Sequence, residues 1–384
     1  MKLGFYNEGK YYIDKKGELY TSDIFLTFIE KVLVKYKINA IGRLSPYKFE
    51  SFHILKKNWK LTSLSYYKSI KYLSFFFPFY LFKNRKEIND FIKRIDVLFI
   101  SPSGPLSIYL LHKIKKKNKK VILFIRQDTR KLISIKNNNN IIVRIFANLI
   151  ESYIENFVNN YSNCIVFTFG DQIHSRYVKL SKSTFSIADS RYMNSDIMNI
   201  NEIKTKNYKT LKLLYVGRIV PGKGLEFLIE SLSKIKNIDF ILTIVGDGTF
   251  KNDLLRLVNL SNIKNRIIFK GYIPFSSDLL KIYSSHDIFV MPSFSEGLPQ
   301  VIFEAMSRGI IVVSTNVGGI SHQIENEKNG FLFEPGDQDK FIQIINKITQ
   351  NKYDLKKIRK NGLLVAKKFS FHTQKKIILK KLNL

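Results

Sequence analysis

Short, nearly continuous apolar runs recur along this chain, and most are closed by a turn carrying Gly, Pro, Ser or Asn. They fall at 2–6, 38–44, 95–100, 121–125, 164–168 and 184–187, and again at 211–216, 240–245, 266–270, 288–291 and 310–313, with a short piece at 330–333. Runs of this kind, without in/out alternation, suit strands covered on both faces, as in a parallel sheet. Stretches with helical spacing lie between them. The clearest are 141–160, a helix from the 217–224 loop to about Lys236, 338–349 and 354–368. Ser22 or Asp23 suits the cap of a helix running to about Tyr36. Tyr11 to Tyr20 reads as a hairpin insert turning at Asp14–Gly17. The segment Asn7-Glu8-Gly9-Lys10 reads as a turn after the first strand, where Gly9 lets the backbone approach a phosphate. Strand and helix alternating in this way predict α/β architecture. The pattern loosens around 184–210, and the polar stretch Asn199 to Lys209 reads as a linker. The expected domains are therefore 1–200 and 201–365, with 366–384 as a terminal helix.

Composition adds bounds. The 384 residues are 45% hydrophobic, enough for two domains with sizeable cores. A single Cys, Cys164, excludes a disulfide framework within the chain and fits a reducing cytoplasm. The apolar start is too short for a signal peptide, and no run of about 18 apolar residues spans a bilayer. Charge changes the picture more. Lys and Arg number 63 against 31 Asp and Glu, a net +32. One reading is compositional drift, since Asn, Ile, Lys and Phe are all abundant. The other is attraction to an anionic partner, with the excess leaning to the N-terminal half. Residues 68–86 belong to the same question: a dense aromatic run, Leu73 to Phe82, is flanked by Lys68, Lys71, Lys83, Arg85 and Lys86. It suits either an interfacial helix on anionic headgroups or an internally packed one.

The candidate chemistry centres on residues 293–309. Strand Ile288–Met291 leads into a loop carrying Glu296. Pro299 then suits the first turn of a helix, and Gly309 the position just past its end. Glu304 lies about one and a half turns into that helix. Ligands of open parallel sheets bind outside the carboxyl ends of the strands, and a helix start offers N–H groups to phosphate. A carboxylate accepts two hydroxyl hydrogen bonds at once, so the vicinal diols of ribose or a hexose suit Glu296 and Glu304. A second loop, Gly217-Arg218-Ile219-Val220-Pro221-Gly222-Lys223-Gly224, joins strand 211–216 to its helix. It lacks the P-loop spacing, so a Walker-type ATPase is disfavoured. Arg218 and Lys223 remain phosphate-binding candidates, Arg as a bidentate fork and Lys as a point charge. No Cys or His cluster has metal-ligand spacing, and no Gly-x-Ser-x-Gly elbow occurs.

Glu296 and Glu304 seven residues apart, with Gly-x-Pro after the first and Ala-Met after the second, resemble the signature of retaining nucleotide-sugar glycosyltransferases of the GT-B fold. That is the large glycogen-synthase-like and mannosyltransferase-like group, glycosyl transferases group 1. Gly217-Arg218 followed by Lys223-Gly224 resembles the family's diphosphate clamp, and Phe369-Ser370-Phe371 its Phe-Ser-Trp. The resemblance is strong over about 211–330 and topological before that. It implies two Rossmann-like domains with parallel sheets facing across a cleft, and a last helix crossing back to the first domain. It assigns Arg218 and Lys223 to the diphosphate, Glu304 to the ribose hydroxyls and Glu296 to the transferred sugar. Backbone and side chains at Gly297, Leu298, Pro299, Gln300 and Val301 would contact sugar and phosphates, and Gly246, Tyr272 and Ile273 would lie near the nucleotide. In the family the end of the 121–125 strand often carries a His or Asp near the sugar, and Asp128 and Arg126 are the candidates for that place. Two departures stand out: a single Gly9 replaces the family's paired glycines, and Ala188-Asp189-Ser190-Arg191 stands where Asn-Gly-Val-Asp is usual. The family's Asp-x-Asp-free chemistry implies a metal-independent reaction with no cofactor, front-face attack being assisted by the leaving diphosphate.

The expected activity is transfer of a sugar from a UDP-, GDP- or ADP-sugar, with retention, to a glycan or lipid-linked glycan acceptor. The expected location is the cytoplasm or the inner face of an anionic membrane. A non-hydrolysing nucleotide-sugar epimerase and a basic nucleic-acid-binding protein are the alternatives.

Overall fold

The computed structural model describes residues 1–21, 23–47, 53–67, 73, 76–130, 141–203 and 209–383. Ser22, Lys68, Lys71 and the centre of the expected linker lie outside them. The chain divides into two compact units, Met1–Ile187 with Ile378–Leu384, and Ala188–Ile377.

In the first unit, β1 (Leu3–Ile13), β2 (Leu19–Thr21), α1 (Ile24–Val32), β3 (Ile38–Leu44), β4 (His53–Ile54) and β5 (Trp59–Leu64) come first. Helices α2 (Phe77–Lys83) and α3 (Arg85–Arg94) follow, then β6 (Val97–Ile100), α4 (Pro105–Lys116), β7 (Lys120–Ile125), α5 (Ile141–Asn160), β8 (Cys164–Phe169), α6 (Asp171–Tyr177) and β9 (Thr184–Ile187). β5, β3, β1, β6, β7, β8 and β9 lie side by side, all parallel. Strands such as β6 are buried at every position, which is why they read as unbroken apolar runs. One face of the sheet packs against α2, α3, α4 and α5 in a single core that includes Tyr80, Phe91, Leu110 and Ile154.

The expected turn at Asn7–Lys10 is absent. β1 runs straight through it, and its pairing with β3 shifts register between Tyr6 and Lys10. Side chains hold the segment extended: Tyr11 donates to Asn7 (3.0 Å), Asn7 to Asp23 (2.8 Å), and Tyr6 to Glu8 (2.5 Å). A phosphate-approaching turn at Gly9 is therefore ruled out. The hairpin beyond it forms as expected, turning through Asp14 and Gly17. Asp23 caps α1, which stops at Val32, short of Tyr36.

The second unit holds β10 (Leu211–Val216), α7 (Leu225–Ser233), β11 (Phe240–Val245), α8 (Lys251–Leu260), β12 (Ile267–Gly271), α9 (Ser277–Ser284) and β13 (Ile288–Met291). It continues with α10 (Gln300–Ser307), β14 (Ile311–Thr315), β15 (Phe331–Phe333), α11 (Gln338–Thr349), α12 (Leu355–Lys368) and α13 (Phe371–Leu382). Residues of α13 up to Ile377 count with this unit, and those from Ile378 with the first. Its sheet order is β12-β11-β10-β13-β14-β15, all parallel. That is a doubly wound arrangement whose order reverses between β10 and β13, the topological switch point where such sheets bind ligands.

Residues 188–198 are tied into the second unit. Ala188 N–H donates to Gln374 (2.9 Å), the Tyr192 hydroxyl to the Ala366 carbonyl (2.6 Å), and Met198 N–H to the Ser307 carbonyl (2.8 Å). The break between the units thus falls before this segment, ahead of the expected boundary at residue 200 and of the expected linker Asn199–Lys209.

Candidate functional site

The loops that leave the strands of the second unit are bound to one another by backbone groups. After β10, Gly217 N–H donates to Val245 O (3.0 Å) and Ile219 N–H to Asp247 O (2.9 Å). After β13, Phe294 N–H donates to Gly222 O (2.9 Å), which ties together the two loops that flank the switch point. Gly319 N–H reaches Gly297 O at 2.8 Å, so the loop after β14 supports the other side. Two glycines make this closeness possible. A Cβ on Gly246 would meet the Gly217 carbonyl oxygen at 1.8 Å, and one on Gly318 the Glu296 oxygen at 1.9 Å. Both also have positive φ, where L side chains are strained.

This frame carries the charged residues. Lys223 and Glu296 face each other across the switch point, Nζ to Oε1 at 2.6 Å, each largely withdrawn from solvent. Arg218 stands exposed at the head of the same loop. Its backbone carbonyl accepts from the buried Tyr215 hydroxyl (2.9 Å). Burial chiefly, with the Glu296 charge second, pushes the Tyr215 phenol well up, while Arg218 opposes the shift. Arg218, Lys223 and Glu296 thus share one neighbourhood. Pro299 precedes α10 without a side-chain cap bond, so the first-turn N–H groups keep their capacity for an anion or hydroxyl. Gly297, Leu298, Gln300 and Val301 line this turn at partial to full exposure. The buried Ser293 Oγ and Gln300 Oε1 have no hydrogen-bond partner among the described residues, polar capacity that a hydroxyl-rich ligand would satisfy.

Glu304 has different surroundings. It is buried in α10 and accepts from the Tyr283 hydroxyl of α9 at 3.0 Å. Burial pushes its carboxyl up; the Arg191 guanidinium and the Tyr283 bond pull it down, and Asp189 adds to the rise. Arg191 and Asp189 belong to the segment tied onto the second unit, as does Tyr192, whose phenol also responds to Glu304. Tyr283, Arg191 and Tyr192 were invisible to motif reading. They stand far from Glu304 in the chain, and only the departure at 188–191 marked the place.

The remaining candidates divide. Tyr272 is 70% exposed beyond β12, open for a stacking partner, whereas Ile273 packs against the core under α9 and α10. Gly246 serves the loop frame. The buried His286, just before β13 and no candidate of the motif, is held by the Ile282 carbonyl (2.6 Å) and Thr243 (2.9 Å), as a structural residue would be. In the first unit, Asp128 pairs with Arg176 (2.6 Å) and Arg130 (3.4 Å), while Arg126 lies over the Phe25 ring and 3.5 Å from Asp23. Among the described residues, the ion pairs of Asp128 and the Arg126–Asp23 pair share no member. Among the described residues, no group of three or more His, Cys, Asp or Glu could hold a metal ion.

A doubly wound domain whose switch point gathers two cations, a carboxylate and an open helix start has the form of the nucleotide-binding half of a GT-B protein. Residues 196–364, within the second unit, match the family model described as Glycosyl transferases group 1. An Escherichia coli relative, UDP-Gal:alpha-D-GlcNAc-diphosphoundecaprenol alpha-1,3-galactosyltransferase, is 35% identical over 142 residues, 36% of each chain. An uncharacterized glycosyltransferase of Haemophilus influenzae is 28% identical over 297 residues, 67% of this chain and 82% of its own. The chain thus spans about a third of the first relative's length. The Anabaena protein HepE, solved in complex with UDP, superposes over 100% of both chains with a TM-score of 0.69 at 15% identity, a likeness of fold. The epimerase alternative finds no support among these relatives.

Proposed function

We propose that the protein transfers a sugar from a nucleoside-diphosphate sugar to a glycan or lipid-linked glycan acceptor, with retention at the anomeric carbon and without a bound metal or other cofactor. The observation that carries this is the Lys223–Glu296 pair across the switch point, 2.6 Å apart between loops that hydrogen-bond to each other. In the reaction, negative charge builds on the leaving diphosphate. Arg218, Lys223 and the first-turn amides of α10 are the groups that would meet it, and fixed donors aimed at developing charge are a large catalytic term. Lys223 and Glu296 now satisfy each other. A diphosphate competes for Lys223 and leaves the Glu296 carboxylate to the hydroxyls of the transferred sugar. Glu304 would read the ribose hydroxyls, with Tyr283 and Arg191 holding it.

The E. coli relative's named acceptor, a diphosphoundecaprenol-linked sugar, supports a lipid-linked acceptor here. The UDP in the Anabaena structure supports a uridine nucleotide among UDP, GDP and ADP. A cytoplasmic protein working at the inner membrane face fits both. The direct test is thermal shift against UDP-, GDP- and ADP-sugars, since a ligand that binds only the native state raises its apparent stability. One class should raise the melting temperature in wild type and fail to do so in Arg218→Ala. Indifference to all three classes would overturn the reading.

A further inference from the structure

The first unit carries apolar surface that its own fold does not cover. In α2, Tyr80 is buried and Phe77 and Leu81 pack on the core, which fixes the inward face. The other aromatics turn away: Phe76 is 51% exposed, Phe79 70% and Phe82 76%. Residues three apart drift slowly around a helix, so these rings form one outward stripe. Lys83 falls within it, and Arg85 and Lys86, at the start of α3, are exposed beside it. No acidic residue lies in the first turn of α2.

A second stripe lies on α5. Ile141, Ile145 and Leu149, spaced by four, are exposed by half or more, with Phe146 beside them. The charge in this half of the helix is Arg144, also exposed. The inward residues of α2 and α5 belong to the same core, on the same face of the sheet. The two stripes therefore look out from one side of the unit. Exposed apolar stripes on a folded chain mark contact surfaces when their residues are contiguous.

We propose that this side seats on an anionic lipid bilayer, with Phe76, Phe79 and Phe82 entering the headgroup boundary and Lys83, Arg85 and Lys86 resting on lipid phosphates. Charge complementarity selects the occupant. The exposed charges beside the stripe, Lys83, Arg85 and Lys86, are all cationic, and Glu87, next in the chain, is half-buried. The whole chain carries +32, and basic residues near an anionic leaflet each add attraction. Aromatic rings beside cations are the composition of interfacial helices. Among the described residues, no helix is long and apolar enough to cross a membrane, so contact would be peripheral. The inference goes beyond the transfer reaction and does not depend on it.

The test is sedimentation of the full chain with phosphatidylcholine vesicles, with and without phosphatidylglycerol. Wild type should sediment with the anionic vesicles, less with the neutral ones, and less again at high salt. Phe79→Ser/Phe82→Ser should weaken partition about tenfold or more, and Arg85→Glu/Lys86→Glu should remove the preference for phosphatidylglycerol. Ile145→Ser/Leu149→Ser reads the second stripe separately. All these positions are exposed, so unchanged melting temperatures are expected. Wild type that ignores anionic vesicles overturns the proposal, as does Phe79→Ser/Phe82→Ser that binds like wild type. If the same variants instead convert a dimer to monomer, the face belongs to a second copy. The sugar-nucleotide thermal shift needs no lipid, so failure of either idea is visible without the other.

Discussion

Single side chains decide the chemistry of the switch point. Removing one donor aimed at developing charge costs about 10²–10³ in turnover. Arg218→Ala and Lys223→Ala should each lower kcat/KM by about that factor, with melting temperatures near wild type, because both side chains reach into the loop neighbourhood and not the core. Initial rates on the best donor check this; wild-type turnover in either variant would remove the residue from the site. Glu304 offers a pH signature. Its folded carboxyl is raised, chiefly by burial. A raised acid stabilises the fold fully below its unfolded value, and that contribution is lost as pH rises through the folded one. Glu304→Gln does not titrate. Its stability relative to wild type should therefore climb as pH rises from about 4 upward. Paired melting curves across that range measure it, and a difference that stays flat with pH would mean the carboxyl is not raised. The two glutamates were legible as a pair from the whole string around them, Gly-x-Pro after the first and Ala-Met after the second, and not from spacing alone. That Glu296 would meet Lys223, while Glu304 would be buried against Tyr283, was not, because each partner arrives from another part of the sheet.

At the scale of elements, the strands and helices of the second unit followed from periodicity and caps. β10, β11 and β13 begin and end where the apolar runs do. α11 occupies 338–349, capped by the Asp337 side chain. α10 begins after Pro299 and is followed by Gly309 at positive φ. Such boundaries depend on local backbone chemistry, which the sequence states directly. Loop conformation does not. Gly318→Ala would drive a Cβ into the Glu296 carbonyl at a strained φ. It should destabilise the protein by about 1–3 kcal/mol and raise the donor KM by displacing Glu296. A Cβ on Gly297, one residue past Glu296, meets nothing within 4 Å, so Gly297→Ala should change stability by under about 0.5 kcal/mol. Denaturant melts of the two variants give the comparison. Equal stabilities would show that the loops do not press together as described.

For the whole molecule, the excess of positive charge is the property with the widest reach. A net +32 makes the compact state repel itself, and added salt screens that repulsion. The melting temperature should rise as sodium chloride is added, until exclusion effects dominate. A constant or falling value at low salt would mean that local ion pairs already offset the excess.

The sequence by itself determined the alternation of strand and helix, the glycine loop with its two cations and the carboxylate pair, because these rest on residues near one another in the chain. Only the tertiary structure decided that β1 passes unbroken through Asn7–Lys10, that residues 188–198 join the second unit, and that the aromatics of α2 split between core and surface. Each of those outcomes depends on hydrogen bonds or packing between segments far apart in sequence, and no local pattern encodes such a partner.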